Sequence, residues 1–327
     1  MHDKLIDRST HLEIAPSKAH AKPWEKVEPL FDHGMYVIEE KLDGWRFLMH
    51  VGRKLPRMYL TGRRPSKTQG GKFSEKGLCA PRLAPDTVSK LKYTVIDGEV
   101  MPPAGAHFRD LAGIMNVTPE KAAARIREIG AYPQYYAFDI LFYDGADVRE
   151  EPWSYRKQLL EELVPTYWAR NDLVSVLPHH RTSKFARYDA WIRTGKEGAI
   201  LKDKEMPYGK GWIKVKRTAT LDVVVTGYED ANYGKTGKFD GLIGALKVSV
   251  WCGGELVEVG QVSGMTDKMR KEFTENYKDY EGTVIEIAAQ EMAKDRLRHP
   301  RFKRLRPEAD PKTCTMYKMH EDLAAAR

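Results

Sequence analysis

The sequence predicts an α+β chain in two parts: a mixed domain of strands and helices to about residue 218, and a smaller barrel of short strands after it. Three observations predict this. The 327 residues exceed the usual size of one domain and leave room for a core in each of two. Before residue 218, runs rich in aromatic and β-branched residues alternate with helix-length stretches. After Thr218 short β-rich runs follow one another between glycine-rich turns, with one helical stretch among them.

Residues 1–30 are polar and broken by Pro16, Pro23 and Pro29, which reads as an extended lead-in. Residues 35–38 and 45–51 read as two strands joined at a tight turn through Asp43-Gly44. Further strands are expected at 93–99, 135–141, 197–202 and 212–217. Helices are expected at 119–129, where Pro119 occupies a permitted first-turn position, at 154–163 and at 183–193. In the second part, strands are expected at 223–225, 242–250, 256–259 and 284–288, with a helix at 267–277. The boundaries are thus 1–30 for the lead-in, 31–218 for the first domain and 219–327 for the second.

Lysine and arginine number 54 against 46 acidic residues, a formal net charge of +8, which favours a polyanionic partner such as nucleic acid or serves solubility alone. Cys79, Cys252 and Cys314 stand far apart with no paired spacing, against a disulfide framework or a structural zinc and in keeping with a reducing, intracellular setting. No apolar run is long enough for a membrane span, and no basic segment followed by an apolar stretch opens the chain, so a soluble, unexported protein is expected.

The chemistry starts at Lys41. A lysine entering a glycine turn between apolar strands, when desolvated or crowded by cations, has a lowered pKa and an amine free to attack; otherwise it is a solvated lysine on a hairpin. Other segments follow in order. Asp97-Gly98-Glu99 ends a strand, Phe138-Asp139 sets an acid after an aromatic, and Glu197-Gly198 opens another strand. Trp212-Ile213-Lys214-Val215-Lys216-Arg217 alternates, so Lys214 and Lys216 project from one face and repel each other unless an anion sits there. Arg298-His299-Pro300-Arg301-Phe302-Lys303-Arg304-Leu305-Arg306 concentrates positive charge beside a proline.

Taken together these segments resemble the ordered motifs of the covalent nucleotidyltransferases, and specifically of compact two-domain ATP-dependent DNA ligases of bacteriophage type. Lys41-Leu42-Asp43-Gly44-Trp45-Arg46 resembles the nucleophile motif Lys-x-Asp-Gly-x-Arg. Asp97-Gly98-Glu99, Phe138-Asp139, Glu197-Gly198 and Lys214-Val215-Lys216 resemble the motifs after it, and residues 298–306 resemble the basic motif of the second domain. The resemblance implies an N-terminal adenylation (nucleotidyltransferase) domain of antiparallel sheets and helices followed by a C-terminal OB-fold β-barrel. It implies ATP and Mg2+ as cofactors, nicked double-stranded DNA as partner and a monomer. It further implies a place in replication, repair or recombination in the cytoplasm of a bacterium or an infected host cell.

The resemblance also implies roles. Lys41 attacks the α-phosphate of ATP while Lys214 and Lys216 neutralise phosphate charge. Asp43 acts with bound magnesium, Glu197 assists the metal, and Glu99 serves the metal or the ribose. Glu39 accepts from the adenine amino group. Phe138 offers a face for adenine or is plain core. Arg46 holds the ribose or the nicked strand's phosphate. Arg63 is a looser match in Leu60-Thr61-Gly62-Arg63-Arg64, where Arg64 is the alternative. Arg298, Arg301 and residues 303–306 close over the nucleotide and orient its β and γ phosphates. After Arg306 the sequence departs from the usual Arg-x-Asp-Lys ending, so no terminal acid or lysine is assigned. The Lys235-Thr236-Gly237-Lys238 loop touches either DNA or water only.

Three relatives of this chemistry are separable. A capping guanylyltransferase tends to open its fourth motif with aspartate rather than Glu197. An RNA ligase generally lacks a basic barrel motif like that near Arg301. An NAD-dependent ligase needs more than the forty residues before Lys41 and a four-cysteine zinc module. A non-enzymatic OB-fold binding protein would leave Lys41 dispensable.

Overall fold

The computed structural model describes residues 14–22, 24–53, 55, 58–65, 73–88, 90–216, 218–231, 239–293 and 295–326. The 235–238 loop, Arg217 of the basic strand and the first 13 residues of the lead-in lie outside the described residues. The chain divides into two compact units, Met1–Val215 and Lys216–Arg327.

The first unit is built on two sheets. The larger runs in the order Phe73–Glu75, Tyr59–Pro65, Trp45–Val51, Thr94–Met101, Gln134–Tyr143, Ala146–Asp147, with Val174–Val176 added in parallel to Gln134–Tyr143. The smaller runs His20–Ala21, Trp212–Lys216, Gly198–Asp203, Tyr36–Glu40, His179–His180. Strand alternation explains the layering. On Trp45–Val51, Phe47, Met49 and Val51 point into a core with Leu60, Ile96 and the helices Phe108–Met115 and Trp153–Tyr167. Leu48 points the other way, into a second cluster with Val95, Leu141 and Trp212 that lies between the two sheets. The outer face of the smaller sheet, with Ile38, Leu201 and Ile213, is covered by the helix Lys184–Arg193. Pro119–Ile129 is a helix as expected, stopped by Gly130 in the left-handed conformation (φ 74°), whose N–H bonds to Ile126 O.

Two expectations fail here. Residues 36–40 and 45–51 are not a hairpin: they belong to different sheets, and the segment from Lys41 to Gly44 crosses from one to the other. A tight turn cannot supply ladder partners to strands already paired on both sides, and each of these is. The described part of the lead-in is not extended throughout either. His20–Ala21 adds a parallel edge to Trp212–Lys216, while Trp24, Val27, Leu30 and Phe31 pack against Tyr188 and Ile192. Those apolar residues recur every three or four positions in the short helical stretch Trp24–Val27 and Glu28–Phe31, too brief a run to stand out among the prolines.

The second unit is an antiparallel sheet in the order Glu255–Val262, Ile243–Cys252, Ala219–Asp230, Val284–Ala289, Arg301–Leu305. A bridge between Ser263 and Arg301 joins its two edges and curls it into a barrel. Leu221, Val223, Leu246, Val248, Ile285 and Ile287 fill the interior. The helix Asp267–Glu275 starts at Thr266, whose side chain accepts from Met269 N–H, and breaks at Asn276 where one longer helix was expected. Met316–Ala325, begun by a Thr315 cap, is a helix that the sequence reading missed. It buries Met319 and Leu323, and two residues make a weak period. Among the described residues no helix is long and apolar enough to cross a membrane.

Candidate active site

The crossing segment places Lys41 in the cleft between the two sheets. Its backbone N–H donates to Gly198 O at 2.9 Å, and its ammonium is ion-paired with the Glu197 carboxylate. Both side chains are partly open to solvent. Gly44 makes the crossing possible: a Cβ there would lie 2.4 Å from the Val100 carbonyl oxygen of the larger sheet. The chain then enters Trp45–Val51, so Arg46 is the first cleft-facing side chain of the new strand.

Arg46 does not stand free. Its Nε and Nη2 donate to the two oxygens of buried Asp97, at 2.8 and 2.5 Å, and its guanidinium lies 5.2 and 5.5 Å from the ring centres of Phe138 and Trp212. Burial lowers the basicity of such a group, yet the Asp97 carboxylate outweighs it and holds Arg46 firmly charged. Strand register sets Glu99 directly opposite Arg46 and Asp97 opposite Leu48, so both acids share the cleft face. The Glu99 carboxyl is pushed up to about 8, first by burial; Lys41 and Arg46 oppose the shift, and Asp97 and Glu197 add to it. Gly98, between the two acids, leaves room for Tyr135, whose hydroxyl shares its one hydrogen between the carbonyls of Phe47 and Ile96, each 3.0 Å away.

Glu39 is almost fully buried, and both of its oxygens are taken: Oε1 by Lys157 Nζ at 2.8 Å and Oε2 by Lys202 Nζ at 2.7 Å. Burial pushes its carboxyl up, but the two ammonium groups prevail and hold it below the ordinary value. Lys202, itself buried, is likewise driven below its usual range, by desolvation in spite of Glu39, and sits 4.4 and 4.9 Å from the Trp212 and Phe138 ring centres. Glu39, the match to the acceptor for the adenine amino group, is thus a buried counter-ion to two lysines. Phe138 is half-buried, edge-on to Trp212 at 6.2 Å, and part of the cluster between the sheets. Its neighbour Asp139 is bound on both oxygens by Arg156, a fully buried pair tying the central strand to the helix Trp153–Tyr167.

Lys214 and Lys216 alternate with Ile213 and Val215, which enter the outer core of the smaller sheet; the two lysines thus share the cleft face with Trp212. Arg63 and Arg64 are both exposed at the end of Tyr59–Pro65. Between Thr61 and Pro65 that strand carries two more residues than its partner, so alternation does not choose between them. In the barrel, Arg298 donates to Glu291 at 2.8 Å, while Arg304 and Arg306 converge on Glu286. Arg301 is exposed at the sheet-closing bridge. Asp43 is half-buried beside Lys41 on the crossing segment. Among the described residues no group of three or more His, Cys, Asp or Glu side chains could hold a metal by itself. Sequence reasoning assigned nothing to Lys157, Lys202, Asp97, Arg156 or Tyr208, all of which the structure joins to this cleft.

Residues 18–216, which carry all of this cleft, match the family described as the ATP dependent DNA ligase domain, more than half of the chain. The chain belongs to the ATP-dependent DNA ligase family. Residues 234–306 match the DNA ligase OB-like domain, so the barrel of this ligase-family chain is OB-like and the fold is an α+β adenylation domain followed by that barrel. A probable DNA ligase of Streptomyces avermitilis is 30% identical over 296 residues, which cover 84% of this chain and 53% of the relative. A probable DNA ligase of Koribacter versatilis is 28% identical over 367 residues, covering 94% and 60% respectively. The chain spans about half the length of the curated relatives it matches. A solved structure of a Lig E DNA ligase superposes with a TM-score of 0.61 over 90% of this chain and 100% of its own, at 19% identity. At that identity the likeness concerns the fold.

Proposed function

We propose that this chain seals nicks in duplex DNA, using ATP to form a lysyl-AMP at Lys41. The observation that carries the reading is the Lys41 ammonium held against Glu197 in a cleft lined by Glu99 and Arg46, within a stretch that matches the ligase family. The Lys41 amine, freed of its proton, attacks the α-phosphorus of ATP; a nitrogen–phosphorus bond forms and the bond to pyrophosphate breaks. AMP then passes to the 5′-phosphate of a nick, and the adjacent 3′-hydroxyl displaces it to close the backbone. The work of the protein is to align these groups and to balance phosphate charge. Lys214 and Lys216 face the cleft side by side and are the cations for that task. Arg46 keeps its Nη1 edge for a phosphate or ribose oxygen, and the part-exposed ring of Phe138 is the platform for adenine, with Glu39 behind it.

The carboxylates suit magnesium. Glu99, Glu197 and Asp43 are hard oxygen donors of the kind magnesium takes. Bound Mg2+ would supply charge neutralisation of the phosphates there. In the barrel, Arg298 and Arg301 are the residues to engage the outer phosphates.

The test is a denaturing gel after incubation with magnesium and α-labelled ATP or GTP, for wild type and Lys41→Ala, on protein first stripped with pyrophosphate. Label from ATP alone, lost in the variant, followed by sealing of nicked DNA, is expected. No label, label from GTP alone, or sealing of nicked RNA alone would replace this reading.

A further inference from the structure

The chemistry above makes no use of Tyr208, yet its contacts converge on Arg46. The buried hydroxyl donates to Asp97 Oδ2 at 2.5 Å and accepts from Arg46 Nη2 at 3.3 Å and from the Ser17 backbone N–H at 3.3 Å. A phenol has one hydrogen to give and two lone pairs to accept with, so its capacity is full. The ring is equally confined, edge-on to Trp212 at 5.3 Å with the Arg156 guanidinium 5.8 Å from its centre. Behind it, Gly209 adopts φ +74°, and a Cβ there would lie 2.1 Å from the Ser17 side chain, so Ser17 is seated directly on this loop. A few residues on, Ala21 pairs opposite Lys214.

The guanidinium is thus held on one edge only. Asp97 takes Nε and Nη2, Tyr208 takes Nη2 again, and Nη1 has no partner among the described residues. An arginine fixed along one edge presents its other edge as a rigid donor, and phosphate oxygens are what such a donor recognises best.

We propose that Tyr208 is a positioning residue, anchored by Ser17, that fixes Asp97 and through it the Arg46 fork, whose Nη1 edge receives a phosphate of the substrate. The inference rests on the ligase reading and adds to it the group that orients the arginine. Without the hydroxyl, Asp97 loses its third donor and is free to turn, and Arg46 turns with it. The phosphate belongs either to ATP in the first step or to the nick in the later ones.

A double-mutant cycle tests this, with KM for ATP read from formation of labelled enzyme and KM for nicked duplex read from sealing by enzyme already adenylated. Tyr208→Phe raises one of these about tenfold, the scale of one charge-assisted hydrogen bond, with kcat within about twofold. Arg46→Lys raises the same KM, and the double variant is no worse than Arg46→Lys, because the hydroxyl acts only through the guanidinium. A rise in the ATP arm assigns the phosphate to the nucleotide; a rise confined to the sealing arm assigns it to the nick. Additive losses, a fall in kcat alone, or unchanged KM in both arms overturn the proposal. If the wild type takes no label, the ligase reading fails and this inference with it; if it labels and the losses add, this inference alone fails. Should Tyr208→Phe lose its cooperative melt, Ser17→Pro deletes the anchoring N–H, spares the phenol and carries the same cycle.

Discussion

Lys41 and Glu197, 156 positions apart, are joined by an ion pair between ammonium and carboxylate, and the backbone N–H of Lys41 donates to the carbonyl of Gly198, the next residue. Lys41 is therefore held by the start of a neighbouring strand as well as by its own segment. Replacing Glu197 with alanine removes the group that orients the amine and lies nearest to its proton. Formation of lysyl-AMP is expected to slow about a hundredfold, the lower end of what a positioned acid or base contributes. The pair is partly exposed, with side chains 21% and 13% accessible, so the melting transition shifts by no more than about 1 kcal/mol. Rapid-quench labelling and thermal melts of one preparation check both, and labelling at the wild-type rate would remove Glu197 from the chemistry.

Glu39 is a stability determinant first. Its carboxylate neutralises two buried lysines, and removing one member of such a cluster leaves uncompensated charge in the interior, at a cost of about 3–5 kcal/mol. Glu39→Gln should show that loss in urea unfolding at neutral pH. Glu39→Gln combined with Lys202→Met, which removes one of the stranded ammonium groups, should recover part of it. A Glu39→Gln protein as stable as wild type contradicts the assignment.

Much of this cleft was legible in the sequence because its motifs lie on strands whose apolar partners announce them. Trp45–Val51 has the bounds expected from its run of aromatic and aliphatic residues, and Lys214 with Lys216 shares a face as alternation requires. The hairpin through Asp43-Gly44 was misread because two consecutive strands with a glycine between them look alike whether they pair or part; only the downstream partners, Gly198–Asp203 and Thr94–Met101, distinguish the cases. Lys157 gave no signal at all. It follows Arg156 on a helix, where adjacent cations read as a solvated face, and both are buried because Glu39 and Asp139 arrive from distant strands. Lys202 and Tyr208 lay beside recognised motifs and could have been suspected, since each is a polar residue within or next to an apolar run.

Gly98 is required by its neighbour rather than by its backbone angles. A Cβ at this position would meet the Tyr135 ring at 2.4 Å, and that ring is pinned by its hydroxyl to the carbonyls of two adjacent strands. Gly98→Ala is expected to cost at least about 2 kcal/mol, within the range for overpacked cores. It should also lower activity, because Asp97 and Glu99 flank the site. Tyr135→Leu alone should destabilise by opening a cavity, yet in the Gly98→Ala background it should cost less than it does in wild type. Chemical unfolding of the four proteins gives the coupling, and strict additivity would mean that the ring is not what excludes the methyl group.

Asp222 and Glu286 face each other directly across neighbouring strands of the barrel, two like charges that would destabilise the sheet alone. Arg304 donates to Glu286 Oε2 at 3.0 and 2.9 Å, and Arg306 reaches both acids at 3.3 and 3.4 Å. Burial raises the Glu286 carboxyl, but the hydrogen bonds and charge of Arg304, with Lys303 and Arg306, bring it below its ordinary value. The sign follows from linkage: a depressed carboxyl stabilises the folded state above the unfolded value, about 4.3, and that contribution disappears as pH falls through the lower folded value. Wild type should therefore lose stability more steeply than Glu286→Gln on acidification below about pH 4.3, with the gap between their melting temperatures closing toward acid. The same substitution releases Arg304 and Arg306 from a carboxylate, so binding of nicked duplex by Glu286→Gln should weaken more steeply with salt than that of wild type if these cations then reach phosphates. Parallel pH–stability curves would show that Glu286 is not the carboxylate that these arginines hold ionised.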